Sequence, residues 1–380
     1  MRRAWPLLVM MIGCESTLPA TGAPPAEECA TRDVLAVLSD YSVASYVGAL
    51  GPSEVAVQTS IEFGSDPVLR ISGDSAFVLN RGDALLFPLS PRCGDVIGEK
   101  QLLAPAQQAW NPQDVACTAD GELWVPFFNR PLLRIQPQGV DPIDLPLAQY
   151  DRDGNPNAAS VLFFEVEGRQ KAFVSLEMLD DEDLQLPPKA PGKLLRFDVE
   201  RREIDGEHTL IGWNPFGLLQ RVGPWIYLND IAAPQRADDR NGGIEIFDPE
   251  RNVSRLWLDE VTLGGSIAQL AVNGACGAAI VFGGGATNPT SLLTFSAPRD
   301  RQELDAGQAR VLARDVMQTD GYDLQGLAWQ GDALYVGDRR ALAAGYAVHR
   351  FKVDAQCTLS ADGALTVPQK PVALLPTLRP

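Results

Sequence analysis

The sequence predicts an all-β chain: a seven-bladed β-propeller of four-stranded antiparallel sheets. Three observations predict it. Short apolar strands ending in glycine recur over residues 67–73, 114–121, 160–168, 217–223, 268–274 and 324–331, and their glycines fall 47 to 57 residues apart. After each glycine comes a second apolar strand, as in Ala76-Phe77-Val78, Leu123-Trp124-Val125 and Leu334-Tyr335-Val336, then a third, as in residues 194–197 and 244–247. No segment carries ten or more residues of helical periodicity, which an α/β chain would need between its strands.

Each element has a physical reason. Glycine suits the turn from first to second strand because a left-handed backbone costs it little. β-branched and aromatic residues fill the second and third strands, as a pleated surface favours. A more polar fourth strand, such as residues 253–260 or 309–314, completes a unit of about 40–55 residues, the size of a propeller blade. Six units are clear. A seventh lies in front of them, with Asp33 in the turn position, residues 34–40 as second strand and 45–50 as third. Six or eight blades are the alternatives. Over residues 33–375 the pattern resembles the seven-bladed YVTN/NHL-like propellers of bacterial envelopes. The resemblance rests on blade periodicity and implies a fold, not an activity.

The first residues read as an address. Arg2 and Arg3 precede a short apolar run, residues 4–12, too short for the roughly 20 residues that cross a bilayer but sufficient for a secretory signal. Met11-Ile12-Gly13-Cys14 resembles a bacterial lipobox, which implies lipidation of Cys14 and cleavage before it. Residues 15–28, rich in Pro, Ser, Thr and Gly, then form a flexible tether, and 29–380 the propeller. Glu15 is not the aspartate that retains such proteins in the inner membrane, so the resemblance implies the outer membrane, on its periplasmic or surface side. An ordinary cleaved signal or an uncleaved anchor is the alternative.

Composition narrows the function. With 32 basic and 49 acidic residues the chain carries a net charge of −17, which repels nucleic acid and anionic headgroups. Two histidines, His208 and His349, exclude a multi-histidine metal centre. There is no Gly-x-Ser-x-Gly elbow, paired-cysteine ribbon or phosphate-cradling loop.

An exported chain meets an oxidising compartment, so its cysteines should pair. In a four-stranded blade the first-to-second turn and the third-to-fourth loop share one face. Repeat positions then propose Cys93–Cys117, and Cys29–Cys357 to close the ring, leaving Cys276 as a buried free thiol; other pairings stay open.

Polar residues recur near the ends of the second strands: Asp40, Asn80, Asp230 and Asp338, with Asn129 and Glu177 slightly displaced. Carboxylates such as Glu177, Asp230 and Asp338 could hold a divalent metal at the central channel, but recurrence in nearly every blade favours turn formation. Asp151, Asp153 and Asn155 alternate around Gly154 like the start of a calcium loop, yet Leu162 stands where an EF-hand has its twelfth-position glutamate, and a solvated turn is the stronger reading. Calcium is the one cofactor suggested.

Second-to-third loops are enlarged in blades four to seven, at Asp180-Asp181-Glu182-Asp183, Asp238-Asp239, residues 283–290, and 339–345 with Arg339 and Arg340. These loops share a face, and an enlarged asymmetric rim is a common route to a binding surface. The sequence therefore reads as a monomeric envelope propeller that binds a protein or glycan. A metal-dependent lactonase or hydrolase is the alternative.

Overall fold

Val34 to Leu38 are all buried, although alternate residues of a strand point to opposite sides. Both sides of such a strand must therefore meet a core. Val34, Ala36 and Leu38 pack on Tyr335 and Val348 of blade seven, while Leu35 and Val37 pack on Leu69 and Val78 of blade two. The arrangement repeats around the ring, giving an apolar cluster between every pair of adjacent blades.

The computed structural model describes residues 32–41, 45–58, 62–105, 108–233, 240–283 and 287–378. Among these are seven four-stranded antiparallel sheets, the blades of a β-propeller. The innermost strands of blades one to seven are Pro371–Pro376, Pro67–Ser72, Ala116–Cys117, Ala158–Val166, Pro215–Val222, Ser266–Asn273 and Leu324–Gln330. Among the described residues helix is limited to short pieces, Ala148–Tyr150, Glu260–Leu263 and Arg301–Ala306. None is long and apolar enough to cross a membrane.

All six repeat glycines have positive φ, from +56° at Gly223 to +87° at Gly121. Blade one departs from the expectation. Asp33 makes no turn between its first two strands, because the innermost strand comes from the far end of the chain: Pro371–Pro376 pairs with Val34–Ser39, Val34 opposite Pro376. Main-chain pairing thus closes the ring where a Cys29–Cys357 bond was expected.

Cys357 is instead bonded to Cys276, with Cα atoms 5.5 Å apart, so Cys276 is not a free thiol. The third-to-fourth loop of blade seven leans back on blade six, not forward on blade one. The corresponding loop of blade two leans the same way, since a Cβ at Gly94 would meet Val47 and Leu35 of blade one. Cys93 and Cys117 each take part in a disulfide, but not one that the described residues show between the two of them, while Cys14 and Cys29 lie outside the described residues. Residues 339–345 are not the expected loop: the strands Ala333–Leu342 and Gly345–Val353 extend into a projecting hairpin.

Candidate functional site: a funnel at the channel mouth

Extra residues in the innermost strands shape the channel. In five blades the register with the second strand shifts, bulging out Val372, Ala159, residues 217–219, Ala268 and residues 325–326. A bulge bends its strand and re-aims side chains. Here the bulges occur at one level, and Val372, Ala159, Leu218, Ala268 and Gln325 all line a funnel of about 200 Å³. Gly217 and Gly326 take φ of +83° and +89° at two of these bulges.

The axis is filled below. Innermost strands run from the rim towards the glycine turns, so Arg70 lies one step deeper than the funnel residue Leu69. From blade two, Arg70 Nη2 donates to the Val161 carbonyl of blade four at 2.8 Å, and Nη1 to the Leu219 carbonyl of blade five at 3.4 Å. Its Nε lies 3.1 Å from Asp114 of blade three. The Asp114 carboxylate also accepts from Ser160 Oγ at 2.5 Å and from the Val161 and Val115 amides. Burial raises the Asp114 pKa, and Arg70 and these donors only partly offset it. Gln220 adds a second bridge, donating to the Leu270 carbonyl of blade six at 2.6 Å.

Glu177 is the most unusual group in the wall. The residue is only 4% exposed, and no described residue donates a hydrogen bond to its carboxyl. Burial pushes its pKa up to about 8, against the partial relief of the Arg81 guanidinium. Arg81 pairs with Asp66 and donates to Gln113 Oε1 at 2.7 Å, leaving its buried Nε without a partner. A backbone N–H or a guanidinium can only donate, which fixes how the amides are turned. Gln269 Oε1 accepts from the Gly326 amide at 2.6 Å, and Gln325 Oε1 from Arg339 at 2.9 Å and Tyr41 Oη at 3.1 Å. Their amide nitrogens find no acceptor among the described residues. Phe216 and Tyr41 stand at the mouth, 41% and 36% exposed.

Of the carboxylates named from sequence, Glu177 alone lines this funnel. Asp230 lies fully buried in blade five, where burial and then the neighbouring Glu245 and Glu260 carboxylates raise its pKa well above the usual range. Asp338 pairs with Arg340 at 2.7 Å and His349 at 3.1 Å. Burial alone would raise the Asp338 pKa, but these two donors hold it well below the usual range. Asn80 accepts from the Asp83 amide at 3.1 Å, a turn role. His208 bonds Ser254 at 2.9 Å and lies against Phe247.

Around Asp151, Asp153 and Asn155 the nearby cation is an ammonium: Lys189 lies 2.9 Å from Asp151 and also pairs with Asp153. Asp181 accepts from Asn155 at 2.6 Å and Asn157 at 2.8 Å, tying the blade-four rim loop to the link before it. Asp180 caps its own loop by accepting from the Glu182 amide. Asp238 and Asp239 lie outside the described residues. Arg339 stacks on Tyr41, 5.3 Å from the ring centre, and so belongs to the mouth. No group of three or more His, Cys, Asp or Glu side chains among the described residues is placed to hold a metal ion.

Sequence reasoning missed Arg70, Arg81, Gln113, Asn229, Gln269 and Gln325. Arg70 alone left a trace, as a charge inside the otherwise apolar run Pro67-Val68-Leu69-Arg70-Ile71.

No family model matches the chain, and no curated protein matches it in sequence. Solved structures match in fold. A proposed 6-phosphogluconolactonase of Bacteroides fragilis has a TM-score of 0.60 at 13% identity, over 92% of this chain and 99% of that one. The WD40 repeats of RRP9 match with a TM-score of 0.54 at 10% identity, over 90% and 86%. Virginiamycin B lyase of Staphylococcus aureus matches with 0.52 at 9%, over 81% and 87%. At such identities the likeness is one of fold, shared by proteins of unlike name.

Proposed function

We propose that this protein is a binding propeller of the bacterial envelope, lipid-anchored through Cys14, whose funnel-bearing face holds a protein or glycan. The observation that carries the binding assignment is Glu177, a buried carboxyl without a hydrogen-bonding partner in the funnel wall. Its carboxyl opens onto the funnel, so a ligand there can supply the hydrogen bond that the protein does not. Anchoring and an outer-membrane address rest on residues 2–15 alone. The lactonase or hydrolase alternative draws on the carboxylates, but Asp230 and Asp338 are engaged away from the funnel that Glu177 lines.

The test is a panel of envelope glycans and peptides against the full chain. Binding should weaken about tenfold in Glu177→Ala and be kept in Asp74→Ala, which alters the exposed hairpin on the opposite face. Binding insensitive to Glu177→Ala, or metal-dependent lactone hydrolysis by the wild type, contradicts the assignment. Incorporation of labelled palmitate, abolished by Cys14→Ser, tests the anchor.

A further inference from the structure

The unpaired groups of the funnel are unequal in kind. Gln269 and Gln325 have spent their oxygens on donors that cannot accept, so each has an N–H₂ to offer. Arg81 adds a guanidinium charge to the lining. Against these stand two acceptor oxygens, Asn229 Oδ1 and the second carboxylate oxygen of Asp66, whose first is paired with Arg81. The channel-facing edges of the innermost strands present N–H and C=O alternately and do not tip the balance. Glu177 adds to the donor side whenever it holds its proton, because a neutral carboxyl donates. The group that fits is rich in acceptor oxygens and carries no positive charge.

The walls narrow the class further. The funnel, about 200 Å³, is smaller than the roughly 300 Å³ at which drug-sized sites begin, so it admits a single ring or a terminal group. Half-exposed Phe216 and Tyr41 at its mouth offer apolar faces beside the amide donors. A sugar ring has the matching pair of features, C–H faces and hydroxyl oxygens, whereas a bare peptide terminus offers no such face to the rings.

We infer that the funnel binds an acidic sugar, its carboxylate set against Glu177 and the Arg81 guanidinium charge and its ring between Phe216 and Tyr41. This rests on the funnel being the binding site and names the ligand's chemistry. In the complex Glu177 donates its proton into a hydrogen bond with the sugar carboxylate, and no bond is made or broken. Below the Glu177 transition one negative charge lies in the pair; above it two carboxylates face each other and affinity falls. The other titratable and charged side chains of the funnel are Tyr41 of blade one with Asp66 and Arg81 of blade two, while Arg339 of blade seven acts through Gln325. Of these, Arg81 is the charge that acts on Glu177.

The experiment titrates the full chain with D-glucuronate, D-glucose, D-glucosamine and N-acetyl-alanyl-alanine, at pH about 6 and about 9.5, either side of the Glu177 transition. Glucuronate should bind about tenfold or more tighter than glucose at the lower pH, the worth of one charge-assisted hydrogen bond, and lose that advantage at the higher. Glu177→Gln, which keeps a donor, should preserve glucuronate binding at both pH values, and Glu177→Ala should weaken it about tenfold. Glucosamine binding more tightly than glucuronate at pH about 6, where its amine is charged, overturns the inference while leaving the funnel a binding site. Preference for the dipeptide overturns it in favour of a polypeptide terminus. Failure of every probe to bind overturns the acidic-sugar assignment, and the function itself falls only if the glycan and peptide panel fails too.

Discussion

The Nε of Arg70 lies 3.1 Å from Oδ1 of Asp114, and this buried pair joins blades two and three while the same guanidinium reaches carbonyls of blades four and five. One side chain thus couples four blades at the axis. Removing one partner of a buried pair leaves the other uncompensated, which typically costs about 3–5 kcal/mol. Arg70→Met should lower stability by about that amount near neutral pH. The loss should shrink as pH falls, because an orphaned Asp114 takes up a proton. Urea unfolding at two pH values reads both effects, and a pH-independent loss below about 1 kcal/mol argues against the pairing.

Glu177 makes a separate prediction about stability. Its pKa is raised in the folded chain, to about 8 from an ordinary 4.5. The folded state therefore holds the proton more tightly than the unfolded one. The contribution of this group to stability is fullest below pH 4.5 and is lost as pH rises towards 8, by up to roughly 3–5 kcal/mol. Glu177→Gln removes this dependence. Its melting temperature should exceed that of the wild type at pH 8 and above, and the gain should fade towards pH 4. Equal gains at every pH would mean that Glu177 titrates normally.

Much of the fold was legible because propeller geometry writes itself locally. A hairpin that needs positive φ selects glycine, so Gly73, Gly121, Gly168, Gly223, Gly274 and Gly331 stand in register. A strand buried on both sides is apolar throughout, as at Val34 to Leu38. Relations between distant parts of the chain were not legible in this way. Which neighbour the loop of Cys357 leans on depends on blade packing, so Cys276 could not be told from Cys29. Glu177 and Asp230 occupy similar places at their strand ends, yet only Glu177 opens onto the channel. The funnel amides are single glutamines on different strands, aligned by bulges that spacing does not reveal.

The disulfide gives a covalent test. A non-reducing peptide map should join the peptides of Cys276 and Cys357. Finding Cys357 joined to Cys29 would contradict the structure. The same map identifies the partners of Cys93 and Cys117, each of which is disulfide-bonded. Cys276→Ser should cost about 2–4 kcal/mol, since the bond closes a loop with a sequence separation of 81.

Two glycines should fail for different reasons. A Cβ at Gly277 would lie 2.1 Å from Cζ of Phe295, directly opposite it in blade six, so Gly277→Ala overpacks a core at a cost of about 1–3 kcal/mol. Gly331 has open space but a φ of +62°, so Gly331→Val strains the backbone by about 1–2 kcal/mol while Gly331→Asn is tolerated. Thermal melts of the three variants separate crowding from strain. Equal losses for Val and Asn at position 331 would refute the turn assignment.

The funnel itself is tested most directly by hydrogen exchange with and without saturating glucuronate. The account predicts slowed exchange at residues 67–69, 216–220 and 268–270, which line the channel. Protection confined to the outermost strands, with these segments unchanged, would place the ligand elsewhere and contradict it.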